Sequence, residues 1–189
     1  MYPQKLTTEE QRLQLADHLK RLSSDDRYMR FGNVVTDAFI DKYVERSYND
    51  TNRWFGLIDD DHVVGAIHLA RVTSKKIEMG LSLDMEYRGK GYGQLLFDRG
   101  FVWARANGAN QIYVVCLTQN KAMQHIARKN NMLVATLCPE EREGKLEFVS
   151  ADISAPFADM ILERMAAVDA ALMKQKKFIN RIIKAWMGK

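Results

Sequence analysis

The chain of 189 residues carries a net charge of +4 and is 47% hydrophobic and 28% charged. This composition excludes a disordered or fibrous protein, and the length suffices for one stable core without disulfides or metal. No run approaches the ~18 apolar residues of a membrane span and no apolar signal segment is found at the start, so we expect a cytoplasmic protein.

The positive charge is concentrated in the last sixteen residues, which contain six cations and no acid. Residues 1–173 are left with 22 cations against 24 acids, so nucleic-acid binding by the main part of the chain is not expected. The cysteines, Cys116 and Cys138, lack the spacing of metal ligands. We expect both to be reduced and structural.

Three helices are predicted before any strand. The spacing of Thr7 and Glu10 predicts a capping box for a helix that ends near Leu22. A short helix is predicted from about Asp25 to Phe31, and Thr36 is the expected cap of a third.

From Arg53 the apolar pattern changes from helical to alternating, which predicts strands at 53–58, 63–72 and 76–85. The first two are joined by the acidic turn at 59–62. Three consecutive aspartates lack the alternating ligand spacing of a calcium loop, so a solvated turn is expected there.

The second half predicts a helix at 93–108, a buried strand at 110–118, a helix at 120–132 and closing strands at 133–138 and 145–153 around the turn "PEEREG". A strand, a helix and a strand in this order favour a right-handed parallel crossover. We therefore predict an α/β fold with a mixed, mainly antiparallel sheet flanked by helices.

The stretch "YRGKGYG" at 87–93 lies where a strand becomes a helix. Alternating glycines let the backbone approach a ligand, and the free N–H groups of a helix N-terminus suit phosphate. Arg88 and Lys90 add positive charge. The spacing of Gly89, Gly91 and Gly93 fits neither a Walker loop nor a dinucleotide-binding fingerprint.

This stretch resembles the acyl-CoA signature of the GNAT superfamily of N-acetyltransferases, Arg/Gln-x-x-Gly-x-Gly/Ala, at Arg88, Gly91 and Gly93. The segment 113–132 is similar to the family's second CoA segment. The early segment "LSSDDRYMRF" resembles a branch that includes protein lysine acetyltransferases. The resemblance covers about residues 6–153 and implies an acetyltransferase domain at 1–153. The remaining residues, 154–189, are a separate extension with a pattern of its own.

The resemblance also implies that acetyl-CoA is the co-substrate and that no metal is needed. The main chain near Leu83 would pair with the pantetheine amides, and Asn120 would bind pantetheine, although an asparagine there is also an ordinary helix cap. Ala127 replaces the tyrosine that many members use to protonate the thiolate. The pyrophosphate would be held by the main chain of Arg88, Gly89, Lys90, Gly91, Tyr92 and Gly93.

Glu78 is the candidate general base. Alternation along the strand places it on one face with Gly80, Ser82 and Asp84, and it matches a glutamate that serves as base or water-holder in some members. A glutamate carboxyl titrates near pH 4.3 in water, so such a base needs burial or a bridging water. An exposed polar residue is the alternative. An acyl intermediate on Cys116 is disfavoured, because no activating group is adjacent in sequence.

After residue 156 an apolar stripe with alternating spacings of four and three residues predicts one long helix. Three arrangements are open for this helix: its first half packs on the domain, it forms a homodimer, or its basic end contacts an anionic membrane or RNA. The sequence predicts transfer of an acetyl group from acetyl-CoA to a primary amine, a protein lysine or a small molecule, by direct attack. The alternative is a non-catalytic CoA-binding module that acts through this helix.

Overall fold

The computed structural model describes residues 1–148 and 154–187, which form a seven-stranded sheet with helices on both faces. The strands are ordered β1-β2-β3-β4-β5-β7-β6. The helices are α1 (Glu9–Arg21), α2 (Ser24–Phe31), α3 (Asp37–Ser47), α4 (Tyr92–Ala106), α5 (Lys121–Lys129) and α6 (Ser154–Met187). The strands are β1 (Gln4–Lys5), β2 (Arg53–Asp59), β3 (His62–Arg71), β4 (Lys76–Leu83), β5 (Gln111–Leu117), β6 (Leu133–Cys138) and β7 (Glu141–Glu147).

The early part of the chain differs from the prediction in two details. Thr8, and not Thr7, caps α1, and its capping-box partner is Gln11. The Gln11 side chain accepts hydrogen bonds from both Thr7 N–H and Thr8 N–H, which satisfies two donors that precede the helix. The two-residue strand β1 also precedes the three helices, because it pairs with β2 at the sheet edge.

The middle of the sheet follows the prediction: β2, β3 and β4 form an antiparallel meander, and β5 returns parallel to β4 after α4. The closing hairpin has a tighter turn than predicted, since Cys138 pairs with Glu141. Residues 141–147 pair with β5 on one side and β6 on the other, so their backbone polar groups are satisfied as strand. The rest of the predicted last strand, 149–153, lies outside the described residues.

Each face of the sheet has its own core. On one face α4 packs against β3 and β4, with Ile67, Leu69, Ile77, Met79 and Phe97 almost fully buried. On the other face α1 and α3 pack against β2 and β3. This second core contains Leu15, Leu19, Ile40 and Val44 of the helices with Trp54 and Ala66 of the strands. Glu78 and Gly80 alternate with Ile77 and Met79 and therefore lie on the α1 and α3 face.

The long helix α6 packs on α4 and β1 through a narrow face in which Ala155 and Ala166 are buried. Arg99 of α4, only 3% exposed, reaches Asp159 and Glu163 of the helix. Farther along, Lys177 contacts Asp60 and Asp61 at the tip of the β2–β3 hairpin. The expected solvated turn thus carries ion pairs to α6. None of the helices within residues 1–148 and 154–187 is long and apolar enough to cross a membrane.

Candidate active site

A slot opens in the sheet where the parallel strands β4 and β5 diverge. They pair only from Lys76 with Gln111 to Glu78 with Tyr113. Beyond this point β4 runs on to Leu83 without pairing to β5, so the facing edges keep backbone groups available. An extended ligand with amide groups can pair with such edges as an added strand does.

The glycine-rich turn lies at the open end of this slot. Gly89 and Gly91 have φ of +72° and +84°, a region that side chains other than glycine's avoid. Gly91 is the N-cap of α4 and offers no side chain to the first N–H groups of the helix. A Cβ at either position would meet nothing within 4 Å. The turn therefore presents free N–H donors and the positive end of a helix to an open space, which suits an anion.

Gly93 has a different role from the first two glycines. A Cβ there would lie 3.1 Å from Cδ1 of Ile126 in α5. The missing side chain lets α4 and α5 approach each other beside the slot. Lys90 and Tyr92 flank the turn, with Lys90 Nζ 5.8 Å from the ring of Tyr87. The hydroxyl of Tyr87 donates to Asp59, and this bond, with burial, raises the pKa of Tyr87 to about 12.

Arg88 connects the turn to α2. Its Nε and Nη2 donate to the Leu83 carbonyl at 3.1 and 3.0 Å, and Nη2 lies 2.9 Å from Asp26 Oδ2. Burial opposes ionisation of Asp26, but bonds from Arg88 and Ser23 outweigh it and lower the pKa of that carboxyl. A ligand that bonds to the Leu83 carbonyl must therefore share it with the guanidinium or displace it.

Asn120 is the N-cap of α5, where its Oδ1 accepts from Met123 N–H at 3.0 Å. Its Nδ2 makes no hydrogen bond within the part of the chain that the structure describes, and so is available to a ligand. Ala127 is 1% exposed and packs against Gly144 of β7. That position is a packing contact without room for a tyrosine, and it supplies no acid to the slot.

Glu78 lies where the slot begins. The hydroxyl of Tyr113, on β5, donates to its Oε2 at 2.9 Å and fixes the carboxylate. Burial and this bond to a carboxylate raise the pKa of Tyr113, so the hydroxyl stays protonated as a donor. The sequence gives no hint of Tyr113, because its proximity to Glu78 depends on the register of two strands that lie 35 residues apart.

A second polar cluster, also absent from the sequence prediction, fixes the end of β4. The fully buried His18 of α1 bonds to Ser82 Oγ through Nε2 at 2.9 Å, and its Nδ1 lies 2.8 Å from Asp84. Burial opposes ionisation of Asp84, but contacts with His18 and Arg21 outweigh it and lower its pKa. This cluster anchors α1 beneath the slot.

The structure gives no support to a covalent route through cysteine. Cys116 on β5 is 6% exposed, and burial raises the pKa of its thiol despite the opposing effect of Arg128 and Arg142. A thiol in such surroundings is a poor nucleophile. Within residues 1–148 and 154–187 no three His, Cys, Asp or Glu side chains come together as a metal site.

The family model described as "Acetyltransferase (GNAT) domain" matches residues 7–133. No curated protein matches the sequence. Similar solved structures include the GNAT domain of S. lividans PAT, with 13% identity and a TM-score of 0.68 over 77% of this chain and 89% of that one. An acetyltransferase from Streptococcus agalactiae has 17% identity and a TM-score of 0.63, over 77% and 97%. A Sinorhizobium meliloti phosphinothricin acetyltransferase, in complex with AcCoA, has 12% identity and a TM-score of 0.59, over 78% and 89%.

Proposed function

Because the chain belongs to the GNAT acetyltransferase family, we propose that it transfers the acetyl group of acetyl-CoA to a primary amine by direct attack within a ternary complex. The observation that carries the proposal is Glu78, an oriented carboxylate at the point where β4 and β5 part. A thioester in the slot and an amine beside Glu78 would lie next to each other.

The donor would be bound by groups of three kinds. The open edge of β4 near Leu83 would pair with the pantetheine amides, and the free Nδ2 of Asn120 would add a donor. The N–H groups from Arg88 to Gly93 would hold the pyrophosphate at the start of α4. The side chain of Lys90 would add charge there, whereas the guanidinium of Arg88 is held by Asp26 and the Leu83 carbonyl.

The acceptor must lose a proton before it attacks. The pKa of an alkylammonium, near 10.4, lies 3.4 units above pH 7. At 1.36 kcal/mol per unit, its deprotonation at pH 7 therefore costs about 4.6 kcal/mol. Glu78 would take this proton directly or through a water. The neutral amine nitrogen then bonds to the thioester carbon and gives up its second proton to water as the carbon–sulfur bond breaks and the thiolate leaves. Since a free thiol has a pKa near 8.5, the thiolate departs and takes up a proton from solvent without a dedicated acid.

The test is release of the CoA thiol with a panel of polyamines, aminoglycosides, amino acids and lysine peptides. We expect Glu78→Gln to lower kcat at pH 7 by roughly 10²–10⁴-fold, the usual contribution of a general base, and to alter the pH profile. Glu86→Gln removes the same charge from an exposed site near the turn and is expected to leave the rate unchanged. A Glu78→Gln enzyme with the wild-type pH profile would exclude Glu78 as the base.

The same assay addresses the alternative of a non-catalytic module. If acetyl-CoA raises the melting temperature but no acceptor in the panel releases thiol, the protein binds the donor without using it. The acceptor screen also separates protein lysine, tested as lysine peptides, from small-molecule amines.

We also propose that α6, which begins the extension at 154–189, pairs with α6 of a second copy. The apolar stripe of the helix faces away from the domain, and Ile161, Met165, Val168 and Leu172 are 40–59% exposed. Their spacing of four, three and four residues is that of a coiled-coil seam. Arg164 and Asp169 flank the stripe at positions that lie opposite each other in a parallel pair, so their charges are complementary. Asp169 also accepts from Tyr2 N–H at 2.9 Å within its own chain, so the Arg164 side chain of the second copy would share that carboxylate.

A further inference from the structure

A second charged group lies on the same face of β4 as Glu78. The guanidinium of Arg30, at the end of α2, rests directly on Gly80. A Cβ built on Gly80 would come within 2.7 Å of Arg30 Cζ. The absence of a side chain at Gly80 is therefore what lets this guanidinium reach the sheet.

Arg30 is held in place without being neutralised. Its Nη2 donates to the hydroxyl of Tyr43 at 2.9 Å, and its Cζ lies 5.1 and 5.7 Å from the ring centroids of Phe31 and Tyr43. Its Nε is buried and has no hydrogen-bond partner among the described residues.

No carboxylate lies within 4 Å of Arg30 in the described ranges 1–148 and 154–187, whereas nearby arginines do have acids. Arg27, in the same helix, pairs with Asp37, and Arg88 pairs with Asp26. A partly buried cation without a counter-charge is costly to desolvate, which favours a ligand that brings one.

Glu78 is the counterpart of opposite sign. Its carboxylate accepts from Tyr113, and within the described residues it too has no ion pair. The Cα atoms of Glu78 and Gly80 are separated by two strand residues, or about 6.7 Å. The face thus presents a fixed anion and a fixed cation side by side, each held by a tyrosine hydroxyl.

We propose that the acceptor carries a carboxylate close to its reactive amine, as an α-amino acid does, with the amine at Glu78 and the carboxylate on Arg30. This inference rests on the proposed acetyl transfer and names its substrate class. The ammonium and carboxylate of an amino acid are a few Å apart, so both can be bonded at once across one strand repeat. A lysine side chain in a protein has no carboxylate next to its amine and would leave Arg30 unpaired.

The test compares each of several amino acids with its carboxamide, which keeps the amine and the side chain but lacks the negative charge. We expect Arg30→Gln to lower kcat/KM for the acids by at least about tenfold, as loss of one charge-assisted bond implies, and to change it for the amides by less than about threefold. Arg30→Lys is expected to recover part of the preference for the acid. Arg46→Gln removes an exposed arginine of α3 and should leave kcat/KM unchanged for both the acids and the amides.

Gly80→Ala tests the same geometry with the charge retained, since its Cβ must push the guanidinium aside. It is expected to reduce the preference for the acid while preserving the fold, because the displaced atoms belong to a flexible side chain. Equal losses for acid and amide in both variants, or a wild-type enzyme that acetylates amines without regard to a carboxylate, would overturn the inference and leave the transferase intact. Absence of thiol release with every amine would instead overturn the proposed function, and this inference with it.

Discussion

At the scale of single residues, the polar side chains beneath β3 and β4 are bonded mainly to one another. Tyr43 accepts from Arg30 and bonds to His68 Nδ1 at 2.8 Å, and the ring of Trp54 stacks on the imidazole with centroids 4.3 Å apart. Burial, and then the positive charge of Arg30, lower the pKa of His68 to about 3. The imidazole is therefore neutral in the folded protein at any pH at which the enzyme would be studied.

This histidine predicts a dependence of stability on pH. His68 is protonated near pH 6.5 in the unfolded chain and near pH 3 in the folded chain. Its contribution to the free energy of unfolding is therefore complete above pH 6.5 and is lost as the pH falls. At pH 5.0 the loss is about 2 kcal/mol, from 1.5 units at 1.36 each. We expect urea unfolding at pH 7.5 and 5.0 to show that the free energy of unfolding falls by about 2 kcal/mol less in His68→Gln than in the wild-type protein. An equal loss in both proteins would mean that His68 is protonated in the folded state.

At the scale of elements, α4 begins without a side-chain cap. Gly91 occupies the N-cap in the left-handed region, so the first N–H groups are free, whereas Thr8, Ser23 and Thr36 cap the first three helices with their side chains. A glycine N-cap is less stable than a Ser or Thr cap by only about a few tenths of a kcal/mol, and here it leaves the first N–H groups of the helix free, as an anion site needs.

Gly91→Ala should separate backbone conformation from ligand binding. A Cβ at φ +84° costs about 1–2 kcal/mol, and relief of this strain would move the N–H groups that the proposal assigns to the pyrophosphate. We expect weaker acetyl-CoA binding by calorimetry and a lower free energy of unfolding. Gly108→Ala, at the other end of α4 with φ +78° and open space, is the matched control: it should lose similar stability and keep its affinity. Equal affinity in both variants would contradict a role of this turn in donor binding.

At the scale of the whole molecule, α6 lies across the domain with its small residues inward and its larger apolar residues outward. Val168 and Leu172 are each 59% exposed. Exposed contiguous apolar surface of this kind marks an interaction site.

We expect light scattering to give twice the chain mass of 21.8 kDa for the wild-type protein. Val168→Glu combined with Leu172→Glu would place charges in the seam and should return the mass to that of one chain. Ala167→Glu adds a charge to an exposed position of the same helix outside the stripe and is expected to remain dimeric. A single-chain mass for wild-type protein at all concentrations would contradict pairing through α6.

Periodicity predicted most of the helices and strands, because alternation and helical spacing are local properties of the chain. It missed β1 and the tight turn before β7, where pairing with distant strands decides the structure. The capping box was displaced by one residue, because Thr7 and Thr8 both satisfy the pattern and only the backbone geometry distinguishes them.

The sequence by itself determined the mixed α/β fold, the family and a phosphate-suited turn, since a short contiguous motif contains its own geometry. Glu78 was also visible as a candidate, because alternation fixes its face. Only the tertiary structure decided that Tyr113 orients Glu78, that Arg30 lies on Gly80, and that the stripe of α6 faces outward. These relations join residues far apart in the chain, and their distances depend on strand register and helix packing, which no local pattern specifies.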